Sequence, residues 1–204
     1  MTRSIQACMR SIWKSGSAVF SALALVAVMI LWGATPAQGS PPDDVASLKA
    51  QMEIGALAVR YAAGVDAIGR GDFEEGRQIL GTCMTDDVVF ESSLPLHDPN
   101  AHADYSFVGL DAFADGVLAS FSFWGYTATQ HHVGNAQVTV HGNTATMKSY
   151  VTAYHVLDWS SSGRLATATY TDEVVHTLAG WRIAHRSLHI TSILDISGSP
   201  PPLP

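Results

Sequence analysis

The sequence is poor in cysteine, in positive charge and in long apolar runs, and each shortage excludes something. Its one extended apolar stretch, Ala18 to Trp32, is about fifteen residues long, short of the roughly twenty that span a bilayer. Arg3, Arg10 and Lys14 precede it, and Gly33–Ser40 follows, with Ala37 and Gly39 at the −3 and −1 positions of a signal-peptidase site. That layout is a secretory signal. Residues 1–39 are therefore expected to be removed and the protein exported, to a periplasm or the outside; an uncleaved membrane anchor is the alternative. Cys8 would leave with the signal, and Cys83 then has no partner for an internal disulfide. The fold must be held by its core.

Loss of residues 1–39 removes three basic groups and no acids, so 11 Lys+Arg against 18 Asp+Glu becomes 8 against 18, a formal charge of −10. Such a surface argues against nucleic acid and, once the signal is gone, against membrane as partners. The glycines at 69, 71 and 76 lack dinucleotide-fingerprint spacing and follow no strand. His97, Asp98 and His102 match no metal-ligand spacing and read as a solvated loop. No metal and no organic cofactor is expected. The 165 residues that remain suit one domain without staples.

After a linker at 40–44 the domain is expected over 45–196, with a frayed proline-rich tail at 197–204. Val45, Leu48, Met52, Leu57, Tyr61, Val65 and Ile68 recur at helical spacing, which predicts one long amphipathic helix. Near its end Asp66 projects from a small-residue edge with Ala58 and Ala62. Asp72 and Glu75 look like a capping pair for a second helix to Leu80. Val88–Glu91 reads as a short strand, Ser92–Phe107 as an irregular lid or binding loop, and Gly109–Phe121 as a third helix. Alternating runs at Leu165–His176 and Trp181–Leu194 are strands. Helices first and antiparallel strands afterwards make an α+β domain.

Between them, Thr129–Val140 and Thr144–His155 alternate about a Gly142-Asn143 turn and read as one long hairpin. Successive side chains take opposite faces. Lys148, Tyr150, Thr152 and Tyr154 claim the wet face, so Val151, Ala153 and His155 point inward. Thr129, His131 and Val133 share a face of the outgoing strand, with a bulge at Gly134 resetting the count beyond it. His132 is left at the surface, and Trp124 and Trp181 read as core.

The helix ending in Asp66, Gly71-Asp72-Phe73, Thr129-Gln-His-His-Val-Gly134, and Tyr170-Thr-Asp-Glu-Val-Val175 with Gly180-Trp-Arg-Ile-Ala-His-Arg186 resemble the SnoaL-like family of the nuclear transport factor 2-like superfamily, over about Val45 to Ile193. The resemblance implies a cone-shaped α+β barrel: three N-terminal helices packed on a curved antiparallel sheet, an apolar pocket at the open end, and a homodimer formed through the sheet. Its members include dehydratases, isomerases, polyketide cyclases and proteins without catalysis, so fold alone does not fix function. Against the scytalone dehydratase branch, Asp66, His131 and His155 fall on the catalytic aspartate and two histidines. Val65, Phe90, Ala168 and Tyr170 replace groups that hold that branch's substrate, which argues against scytalone itself.

Resemblance and parity together nominate Asp66, His131 and His155 as catalytic, and Tyr61, Phe90, Val133 and Tyr170 as substrate-binding. His155, oriented by Asp66, is expected to take a proton from a carbon beside a carbonyl while His131 holds the developing oxyanion. The expected activity is a cofactor-independent lyase or isomerase acting on a small cyclic or polyketide-like molecule. A non-catalytic module binding an apolar small molecule, and a structural subunit of the same fold, are the alternatives.

Overall fold

A computed structural model describes residues 41–93, 105–158 and 162–198. Helix α1 (Pro41–Gly69) starts at the prolines instead of after them, because proline at the first helical position gives up an N–H that a helix leaves unpaired anyway. Most of the expected linker is thus helical. The buried stripe is also shorter than the spacing suggested. Val45, Leu48 and Met52 are exposed, and burial begins at Ile54 and continues through Leu57, Tyr61, Val65 and Ile68. Apolar periodicity shows which residues share a face; whether that face has a partner is decided elsewhere in the chain.

Helix α2 (Phe73–Gly81) has Asp72 at its N-cap, but no side-chain cap bond forms. Glu74 and Glu75 in the first turn instead offset the partial positive charge of the helix end. Strand β1 (Met84–Ser93) outgrows the predicted Val88–Glu91 at both ends, and β2 (Tyr105–Val108) lies where only loop was expected. Residues 1–39, 94–104 with His97, Asp98 and His102, and the tail from 199 lie outside the described residues.

Helix α3 (Leu110–Trp124) is followed by β3 (Ala128–His141), β4 (Thr144–Asp158), β5 (Ser162–Thr177) and β6 (Gly180–Ser197). The sheet order is β2-β1-β6-β5-β4-β3. All neighbours are antiparallel except β1 and β6, which run parallel. The outer strands β2 and β3 do not meet, so the sheet is open; three helices packed on it make the expected α+β fold, and the one departure from an antiparallel sheet is the parallel β1–β6 pair. The cause is topological: β3 to β6 form a meander with one free edge at β6, and β1 docks there in the same direction. Register shifts at Gly134/Gln137 in β3 and at two places along β5 and β6 are bulges, which bend strands and add twist.

Ile54, Leu57, Phe113, Met147 and Ile183 are essentially sealed in the core, each contributing about 1.5–3 kcal/mol through burial. At its floor Arg186 and Asp172, both with no exposed area, are joined by two bonds of 2.7 Å. The guanidinium lies 3.9 Å from the Tyr61 ring centre and 4.1 Å from that of Tyr170. Losing either charge would strand the other without water, which makes the pair costly to break.

Candidate active site

Asp66 sits in the last turn of α1, one turn before Gly69, and there the helix approaches β3 closely. A Cβ on Gly69 would overlap the Thr129 side chain, so glycine is what lets the two elements touch. The Thr129 hydroxyl donates to Asp66 Oδ1 at 2.9 Å, the His131 backbone N–H donates to Oδ2 at 3.0 Å, and His131 Nδ1 lies 2.6 Å from Oδ1. The Asp66 side chain is 14% exposed and that of His131 8%. Burial pushes the Asp66 carboxyl up, but the His131 and Thr129 donors outweigh it and hold the group below its usual range. An ionised carboxylate only accepts, so the short contact places the proton on His131 Nδ1. In the neutral tautomer so fixed, Nε2 carries the lone pair.

The hairpin register does the rest. Thr129 pairs with His155 and His131 with Ala153, so the two histidines are diagonal neighbours on one face, ring centres 5.7 Å apart. His155 is 9% exposed. Its Nδ1 donates to the Arg164 carbonyl at 3.4 Å, and its ring meets Tyr126 at 4.5 Å and Phe121 at 5.8 Å. Burial, then the positive charge that a protonated His131 would place beside it, lower its pKa from 6.5 to about 4, so it is neutral near pH 7. Gly125, left-handed at φ 72°, ends α3 and turns Tyr126 onto this ring.

Both histidines line a cavity of about 730 Å³, within the range of small-molecule sites. The space exists because Ala153, Ala166 and Ala168 line it where longer side chains would fill it, and Gly116 lies on the α3 side. Asp66, His131 and His155 therefore converge, though in a different pairing from the one expected. The carboxylate is bonded to His131, and His155 is held by a backbone carbonyl.

A model of the SnoaL-like domain matches residues 46–187. The chain belongs to the SnoaL-like family. Among solved structures, this SnoaL-like chain is similar to the Kfla4162 protein from Kribbella flavida, with 23% identity, TM-score 0.58, and 72% of this chain and 93% of that one covered. A scytalone dehydratase-like protein from Novosphingobium aromaticivorans gives 20%, 0.55, 77% and 96%, and LinA gives 15%, 0.58, 79% and 99%. None of the curated proteins matches.

The expected binding residues of the SnoaL-like domain divide. Tyr61, Phe90 and Tyr170 line the cavity. Burial raises the pKa of both tyrosines, and both rings also flank Arg186, so they are floor as much as wall. Val133 does not reach the cavity. Its cross-strand partner Val151 does, while Val133 borders a shallow depression with His132 and Tyr150, because β3 is an edge strand already running out toward its bulge. Trp124, expected in the core, is 47% exposed and lines the cavity rim, with the Arg164 guanidinium 5.0 Å from its ring centre. Tyr126 and Arg164 were missed. Parity along β5, where Arg164, Ala166, Ala168 and Tyr170 share one face, is the signal that would have found Arg164. Among the described residues no three metal-ligating side chains cluster.

Proposed function

We propose that this protein is a cofactor-independent lyase or isomerase, working after export, in which His131 is the base that removes a carbon-bound proton from a small cyclic or polyketide-like substrate. The observation that carries the reading is the 2.6 Å contact between Asp66 and His131 at an apolar cavity. The ionised carboxylate fixes the tautomer that presents Nε2 and stabilises the imidazolium formed when Nε2 takes the proton. The C–H electron pair passes into the adjacent carbonyl as an enolate. The imidazolium then returns the proton, either to a leaving oxygen, which completes a dehydration, or to another carbon, which completes an isomerisation. The Tyr126 hydroxyl, which accepts from Arg164 and keeps its own proton to donate, is the group that orients the substrate carbonyl oxygen, while neutral His155, its Nδ1–H taken by the Arg164 carbonyl, offers Nε2 as an acceptor to a substrate hydroxyl. His155 itself, lowered to about 4, is a poor base near neutral pH. The basic head, apolar run and small-residue tail before residue 40 support export.

The test is deuterium exchange from heavy water into a panel of cyclic ketones, compared for wild type, His131→Gln and Asp66→Asn. Each substitution is expected to slow exchange by at least about a hundredfold, with probe binding retained. Exchange of equal rate in all three proteins would remove the pair from the chemistry and leave a binding module.

A further inference from the structure

Among the described residues that line the cavity, Arg164 is the one with a full positive charge, and none is Asp or Glu. Its placement is built, not incidental. Arg164 opens the inward face of β5, its guanidinium lies against Trp124 at the rim, and its side chain is 21% exposed. Nε donates to Asp195 Oδ1 at 2.7 Å and Nη1 to the Tyr126 hydroxyl at 3.4 Å. Asp195 is a weak competitor for that charge, because its side chain is 73% exposed and water screens the pair. An anion brought in between apolar walls meets the same guanidinium at lower dielectric and gains more from it. The planar fork, already oriented by Trp124, loses little freedom on binding. Tyr126 connects the rim to the chemistry: its hydroxyl accepts from Arg164 while its ring lies on His155. An acidic group held by Arg164 is therefore one aromatic ring away from the two histidines.

We propose that Arg164 is a specificity-determining residue that selects substrates with an apolar ring body and one anionic oxygen group, a carboxylate or phenolate, held at the cavity rim. The substrate class rests on the lyase or isomerase reading above, but the anion selectivity does not, since binding is measured without turnover.

Two dyes of nearly the same ring skeleton separate charge from shape: 8-anilinonaphthalene-1-sulfonate, an anion, and N-phenyl-1-naphthylamine, which is neutral. Both are titrated by fluorescence into wild type, Arg164→Met and Asp195→Asn. Methionine keeps an apolar stem over Trp124 and leaves the backbone carbonyl that His155 uses. Arg164→Met is expected to weaken the sulfonate by about tenfold or more and to leave the neutral dye within about twofold, which also reports an intact cavity. Asp195→Asn is expected to tighten the sulfonate severalfold. Equal loss of both dyes in Arg164→Met, no loss of either, or weaker sulfonate binding in Asp195→Asn would overturn the proposal. A null result in the deuterium-exchange experiment leaves the dye selectivity standing, and the converse holds, so the two failures are distinguishable.

Discussion

Asp66 and His155, on either side of His131, show how one site moves two groups by opposite balances. Burial disfavours the charged form of both. Asp66 escapes it through the His131 and Thr129 donors, whereas His155 has only a long contact to a carbonyl and yields, falling to about 4. The consequence for stability has a definite sign. The unfolded chain, with the imidazole at its ordinary 6.5, takes up a proton that the folded protein refuses until about pH 4. Stability is therefore complete above pH 6.5, falls between 6.5 and 4, and changes no further on this account below that. Loss from His155 alone should reach roughly 3 kcal/mol across that window. Asp66, whose pKa is depressed, contributes stability that is lost as pH falls through the ordinary carboxylate value and below it, so its window lies beneath most of that of His155. Urea midpoints at pH 7 and pH 4.5, compared between wild type and His155→Phe, isolate the effect. The variant should show the shallower decline; the same decline in both would mean that His155 is not held neutral by the fold.

At the scale of elements, the site is a crossing of α1 over the β3–β4 hairpin. The alternation of β4 already places His155 inward and Lys148 outward, and Asp66 marks the end of the helix, so these positions were legible in the sequence. Which histidine the carboxylate would meet was not, because that depends on where α1 crosses β3, and the crossing is set by the approach of Gly69 to Thr129. Strand β2 was hidden for a related reason: Tyr105–Val108 is four residues long and owes its conformation to β1 more than to its own pattern. The parallel pairing of β1 with β6 joins residues about a hundred positions apart, beyond the reach of any local periodicity. The crossing can be tested with two glycine substitutions in one helix. Gly69→Ala should push Thr129 away, weaken its bond to Asp66 and cost about 1–3 kcal/mol. Gly55→Ala, where a Cβ meets nothing within 4 Å, should stabilise by about 0.5–1 kcal/mol. Urea denaturation measures both, and shifts of the same sign would show that the close approach does not position the helix.

For the molecule as a whole, the open sheet closes one end of its core and leaves the other hollow, and the sequence spends different residues on each task. The floor takes the Arg186–Asp172 pair with Tyr61 and Tyr170. The opposite end takes Ala153, Ala166 and Ala168, each too small to cross the space beside it. A protein selected for stability alone would fill such a space, since each buried methylene is worth about 0.8 kcal/mol. Keeping about 730 Å³ clear therefore sacrifices stability and argues for an occupant. If so, stability and binding should move in opposite directions when the space is filled. Ala168, 6% exposed and on the cavity wall, is the place to do it. Ala168→Leu should hold or raise the melting temperature, because the added carbons enter empty volume without displacing neighbours, while weakening N-phenyl-1-naphthylamine by about tenfold as its ring loses room. A fall in melting temperature would show that the wall is already packed, and unchanged dye affinity would show that the ligand binds somewhere other than this hollow.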